Sequence, residues 1–209
     1  MPPAPRHLLL LRHGQSVWNA EGRWQGQADP PLSALGERQA VEAAGRLAGI
    51  RFTRVVASDL VRARRTAEII AGELGLGDVR LEAGLREIDV GDWTGLTRDE
   101  IHARWPGLLA AWSDGRAPST PGGETRVHLA ERAQTTLARL AAAASPGDRL
   151  LVVAHGALIR TLDRALVSEP VAGPNLAGRW YDADDDGTLS AGELVVLVDP
   201  EERTASPSP

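Results

Sequence analysis

Two short segments of this sequence carry the same chemistry in the same setting. Leu8-Leu9-Leu10-Leu11 runs into Arg12-His13-Gly14, and Leu151-Val152-Val153-Ala154 runs into His155-Gly156. An apolar run that ends in a glycine turn is how a buried strand delivers a side chain to the carboxyl edge of an open α/β sheet, where ligands bind. Both imidazoles are therefore expected at one edge, facing each other. Val55-Val56-Ala57 is followed by Ser58-Asp59-Leu60-Val61-Arg62-Ala63, which places Arg62 in the first turn of a helix at the same edge. Free N–H groups and the positive dipole end of a helix favour an anion there. Arg12 brings a second guanidinium.

Two arginines, two histidines and a glycine turn suit a phosphoryl group, whose transition state spreads charge over its equatorial oxygens. Forked guanidinium donors match that geometry better than a point charge. A neutral imidazole, with an ordinary pKa of ~6.5, is also a competent nucleophile. His13 is the stronger candidate for that role, since it is flanked by both Arg and Gly. The reaction further needs a proton donor for the leaving alcohol. The segment Leu85-Arg86-Glu87-Ile88-Asp89-Val90-Gly91-Asp92-Trp93 offers carboxyls, and a carboxyl beside a bound dianion can hold a proton and act as general acid. Spacing alone does not choose between Glu87 and Asp89.

Composition narrows the alternatives. The chain has no cysteine, so thiolate nucleophiles, disulfides and thiolate metal sites are excluded. All 23 Lys+Arg positions are arginine, which removes Schiff-base lysines and the lysine of a P-loop. A net charge of -5 gives no basic footprint for nucleic acid. The run Leu8 to Leu11 is far too short to cross a membrane, and Met1 to Arg6 lacks a signal-peptide pattern. A cytoplasmic enzyme with a small phosphorylated substrate, no nucleic acid and no membrane is expected. No motif specifies an interface, which leaves a homodimer open.

The elements that must position these groups follow from periodicity. With 209 residues and 43% hydrophobic content, the chain can bury one α/β core, and a single domain is expected over residues 1–203. Thr204 to Pro209 is small, polar and proline-rich, and reads as a disordered tail. Leu8 to Leu11 and Leu150 to Ala154 are expected as central strands and Val55 to Ala57 as a weaker third. Helical patterns cover Ser33 to Leu47, Leu60 to Leu74, Glu124 to Ala144 and Ala157 to Leu166. Between Val79 and Pro121, Gly, Trp and Pro break the pattern into loops and short helices over one sheet edge.

The ordered motifs resemble the histidine phosphatase superfamily, the phosphoglycerate-mutase-like proteins. Arg12-His13-Gly14-Gln15-Ser16 with Asn19 and Arg23-Trp24-Gln25-Gly26 is similar to the family's opening signature. Leu32-Ser33-Ala34-Leu35-Gly36, Ser58 to Ala63 with Thr66-Ala67, Leu85-Arg86-Glu87 with Gly91 to Gly95, and Val153-Ala154-His155-Gly156 follow in the family's order. The resemblance spans about Leu8 to Leu166. It implies a three-layer α/β sandwich with a mostly parallel central sheet, and a phosphomonoesterase that needs no cofactor and no metal. It makes His13 the phosphorylated nucleophile, Arg12, Arg62 and His155 the phosphate clamp, and Glu87 the acid. Asn19, Gln25, Gly26 and Gly156 match positions around the phosphoryl group or substrate. Run by run, the chain is most similar to bacterial phosphatases of this family, including those acting on phosphorylated sugars.

Three other readings compete. Phosphoryl transfer of the mutase kind uses the same site with water excluded, but the few residues between Thr97 and Gly123 leave little to cover it. A silent binding module is opposed by the presence of all five expected catalytic residues. Asp182 to Glu193 fits the ligand spacing of a calcium loop, yet Gly178-Arg179-Trp180-Tyr181 and Leu194 to Val198 read as strands, and Asp-Gly between strands makes a hairpin turn. Trp24 and Trp93, beside motif residues, are expected to line the substrate entrance. His7, His102 and His128 are read as structural.

Overall fold

The computed structural model describes residues 4–167 and 173–198; the tail expected from Thr204 lies outside them. Four parallel strands run from one edge of a six-stranded sheet, in the order β3 (Val79–Leu81), β2 (Arg54–Ala57), β4 (Arg149–Ala154) and β1 (Arg6–Arg12). β5 (Ala177–Ala183) adds to β1 antiparallel, and β6 (Leu189–Val196) completes the edge. The mostly parallel sheet and flanking helices agree with the expected architecture. β3 escapes the sequence reading because it is three half-exposed residues long, too short to show a period.

Alternation along β1 sorts the core into two layers. Leu8 and Leu10 join one apolar cluster and Leu9 and Leu11 the other, all four fully buried. Side chains of a strand point to opposite faces in turn, so a continuous leucine run is what a sheet covered on both sides requires. Burying each such leucine contributes about 1.5–3 kcal/mol. One face is covered by α2 (Ala34–Leu47) and α3 (Val61–Glu73). α2 starts on Ser33, whose Oγ accepts from the Gly36 N–H at 3.1 Å, and buries Gly36, Gln39, Ala40, Ala43, Ala44 and Leu47 along one stripe. The other face is covered by α6 (Arg126–Ala142) and α7 (Gly156–Leu166). A short α1 (Val17–Ala20) precedes α2, and α4 (Arg98–Arg104) and α5 (Leu108–Ser113) fall in the broken stretch after β3.

The segment with calcium-loop spacing is a hairpin. Asp182 lies in β5, paired across the ladder with Ser190 in β6, and its carboxylate meets His7 Nδ1 at 2.6 Å. Asp184 Oδ1 accepts from the N–H groups of Asp186 and Thr188 at 3.1 and 2.8 Å. Among the described residues no three carboxylates of this hairpin are grouped to hold a metal ion. Among the described residues no helix is long and apolar enough to cross a membrane.

Candidate active site

The register of the central strands brings the two His-Gly turns side by side. Arg12 pairs with Ala154, so His13 and His155 are each the first residue beyond a strand, and the His13 N–H donates to the Ala154 carbonyl at 3.0 Å. Their ring centroids are 5.1 Å apart in an edge-to-face arrangement at 62°. Gly14 permits the turn, since a Cβ there would lie 2.5 Å from the Gly36 carbonyl oxygen of α2.

His13 is held in one tautomer. Its Nδ1 donates to the Gly14 carbonyl at 2.6 Å, which leaves the Nε2 lone pair to accept from Arg62 Nε at 3.2 Å. Burial pushes the His13 pKa well below 6.5, and the Arg62 and Arg12 charges push it the same way. The imidazole is neutral at physiological pH, with its lone pair on Nε2. Arg62 is fixed from behind, because its two terminal nitrogens donate to the carbonyls of Ala28 at 2.7 Å and Gly26 at 2.9 Å. Gly26 adopts φ of 51° against Val90, a backbone shape that favours glycine. Burial is also the main cause that brings the Arg12 and Arg62 guanidiniums down to about 10, and both remain cations at neutral pH.

Glu87 reaches this group from the loop after β3. Its Oε1 accepts from the N–H groups of Ile88 at 2.9 Å and Leu158 at 3.2 Å, and its Oε2 from Ala157 at 3.0 Å. The carboxyl is thereby anchored on the first turn of α7, directly after His155. Asp89 turns elsewhere, its Oδ1 accepting from the Gly91 N–H. One cavity is lined by Arg12, His13, Asn19, Gln25, Gly26, Arg62, Glu87 and Gly156, with Trp24 and Arg23 also at its wall. His155 is fully buried beside His13 rather than in that wall, and neither of its ring nitrogens has a hydrogen-bond partner among the described residues. Burial first, then Arg62 and His13, drive its pKa well below 6.5.

The tryptophans correct an expectation. Trp24 borders the cavity, but Trp93 is fully buried and stacks edge-on against Trp24 and Trp112. The short turn Gly91–Trp93 points the ring into the core. Two supporting residues had no signal in the sequence. Arg132 in α6 donates to the main-chain carbonyls of Gly84, Arg86 and Glu87 and pairs with Glu124 at 2.7 Å. Asn175 donates to the His13 carbonyl at 2.8 Å. The main-chain carbonyls they hold lie more than forty residues away, where no local pattern reaches.

Residues 8–178 match the model of the histidine phosphatase superfamily, branch 1. The chain belongs to that superfamily. This histidine phosphatase is 42% identical over 181 residues to the glucosyl-3-phosphoglycerate phosphatase of Mycobacterium tuberculosis, covering 83% of this chain and 81% of the relative. It is 40% identical over 168 residues to the Escherichia fergusonii protein named "Probable phosphoglycerate mutase GpmB", covering 78% and 75%. Among solved structures it is similar to a mycobacterial glucosyl-3-phosphoglycerate phosphatase in complex with VO3, at a TM-score of 0.79 and 39% identity, over 91% of this chain and 98% of that one. The phosphoglycerate mutase of Bacillus anthracis, at a TM-score of 0.78 and 24% identity over 91% and 92%, shares the fold. Among the described residues no group of three His, Cys, Asp or Glu side chains is arranged to hold a metal ion.

Proposed function

We propose that this protein hydrolyses a phosphorylated sugar or glycerate derivative through a phosphohistidine on His13. The observation that carries the reading is the His13 ring itself, tied by Nδ1 to Gly14 and presenting Nε2 between two buried guanidiniums. The substrate phosphoryl group sits between Arg12 and Arg62, with Asn19, Gln25, Gly26 and Gly156 around it and His155 as a further donor. Nε2 attacks phosphorus as the ester oxygen leaves, and Glu87 gives that oxygen its proton. Oε2 of Glu87 accepts one N–H where Oε1 accepts two, so Oε2 keeps a lone pair for the transferable proton. Water then attacks the phosphohistidine, Glu87 takes a proton from it, and phosphate departs with the imidazole restored. The arginine cations neutralise the oxygens throughout, which is the charge role a metal would otherwise fill. The substrate class rests on the relatives' names, and the absence of a nucleic-acid partner on the net charge of -5; a cytoplasmic setting is part of the same proposal.

The test is hydrolysis of p-nitrophenyl phosphate in excess EDTA. Activity persists in the chelator and disappears in His13→Ala. Loss of turnover in EDTA alone would overturn the metal-free mechanism. The mutase-like relative favours a second reading, transfer to a glycerate hydroxyl, which isomerisation of phosphoglycerate faster than its hydrolysis would establish instead.

A further inference from the structure

The residues just before β5 lie across the turn that carries His13. The Arg12 carbonyl accepts from the Leu176 N–H at 3.1 Å, and Arg12 Nη1 donates to the Gly173 carbonyl at 3.2 Å. The buried Asn175 donates through Nδ2 to the His13 carbonyl at 2.8 Å and to Asn19 Oδ1 at 3.4 Å. Leu176, the next residue, has φ of 55° and is the one non-glycine with positive φ among the described residues. A leucine rarely takes this shape, and it persists only where its surroundings over-determine it. Here the Leu176 carbonyl also accepts from the Leu197 N–H at 3.0 Å, and its side chain is fully buried. Asn19 gives the Asn175 contact a chemical meaning. It lines the cavity at His13, and its Oδ1 takes a second N–H, from Ser16 at 3.2 Å. A side-chain amide has an acceptor end and a donor end. With Oδ1 held by Ser16 and Asn175, Asn19 is left to offer the cavity its donor end. Gln25, in the same wall, is set in the same sense, its Oε1 accepting from Ser16 Oγ at 2.8 Å.

We propose that Asn175 is a positioning residue for the phosphoryl site, holding the Asn19 amide with its oxygen turned away and its Nδ2 toward the substrate. The proposal rests on the phosphatase reading and deepens it. Asn175 is not among the residues that line the cavity, so it acts through Asn19 rather than on the phosphoryl group. The oxygens of a phosphomonoester dianion accept hydrogen bonds and offer none, so an amide N–H binds them and an amide oxygen repels them. Without Asn175, Oδ1 keeps only the Ser16 N–H, and the amide is freer to turn its oxygen toward the anion.

The experiment is a double-mutant cycle on the full chain, with Asn19→Ala, Asn175→Ala and both together. It reads the Kd of inorganic phosphate by calorimetry, and KM and kcat for p-nitrophenyl phosphate. Asn175→Ala should weaken phosphate binding by about tenfold, the worth of one hydrogen bond to a charged group, and should raise KM more than it lowers kcat. Asn19→Ala should lose at least as much. The double variant should bind phosphate about as weakly as Asn19→Ala alone, because no amide is left to orient; two independent losses would multiply instead. Asn175→Leu keeps the volume and removes the donor without adding charge. It should give the same result, and it takes the place of Asn175→Ala in the cycle if that variant does not fold. Unchanged phosphate affinity in the Asn175 variant, or losses that multiply in the double variant, overturns the proposal. A wild type that does not hydrolyse p-nitrophenyl phosphate sinks the phosphatase reading, while the phosphate titrations still report the coupling of Asn175 to Asn19, so the two failures are told apart.

Discussion

His13, the proposed nucleophile, is buried between two arginines, and these surroundings make its protonation costly. Burial, Arg62 and Arg12 all lower the His13 pKa below 6.5, so the free enzyme keeps a neutral, nucleophilic ring in mildly acidic solution. After correction for substrate ionisation, the acid limb of kcat/KM should therefore lie below pH 6.5. An acid limb at or above that value would show that the free His13 is not held neutral. Glu87 has its own test. Glu87→Gln keeps the shape and cannot give a proton, so turnover should fall by about 10²–10⁴ for alkyl esters, the usual worth of general acid catalysis. The loss should be much smaller for p-nitrophenyl phosphate, whose leaving group needs little help. Equal losses would move the acid role to another group.

The elements matter here through how closely their ends approach. The turn after β1 lies against the first turn of α2, and Gly14 is what allows the contact. A Cβ at Gly14 would stand 2.5 Å from a main-chain oxygen, which cannot swing away as a side chain can. Gly14→Ala should destabilise the fold by about 1–3 kcal/mol, the usual cost of overpacking, and displace His13 with it. A denaturation midpoint equal to the wild type would refute the close packing. The first turn of α7 plays a complementary part, since its backbone N–H groups hold Glu87 while its cap residue is His155. Arg132 ties the Glu87 loop to α6 across 45 residues of sequence, so the proposed acid is positioned by two helices that are not its neighbours in the chain.

For the whole molecule, the two buried histidines link stability to pH. Both have folded pKa values below the ordinary 6.5, so beneath that pH the unfolded chain binds protons that the folded one refuses. Their contribution is fully present above about pH 6.5 and is lost as pH falls toward the folded values, at about 1.4 kcal/mol per pH unit for each histidine. Urea denaturation at pH 7.5 and 5.5, in buffer free of phosphate, should show this loss. His155→Gln should remove its share and flatten the dependence. An unchanged slope in that variant would mean His155 is not buried as a neutral group.

Much of this protein was legible in its residues because the relevant patterns are local. Leucine runs ending in His-Gly, a capped 3.6-period stripe after Ser33 and the Arg62 turn each encode their own conformation within a dozen residues. They are enough to expect a parallel sheet with both histidines at one edge. The ordered motifs added the family, which the match over residues 8–178 bears out. Local pattern also misled where a side chain could turn either way, as Trp93 shows by pointing into the core. Spacing left Glu87 and Asp89 open and the resemblance implied Glu87, but the support from Arg132 and Asn175 and the gathering of Arg126 with Arg160 and Arg164 were decided only by tertiary structure. Those contacts join segments far apart in the chain, and nothing short of the packed sheet and its two helical layers brings them within reach.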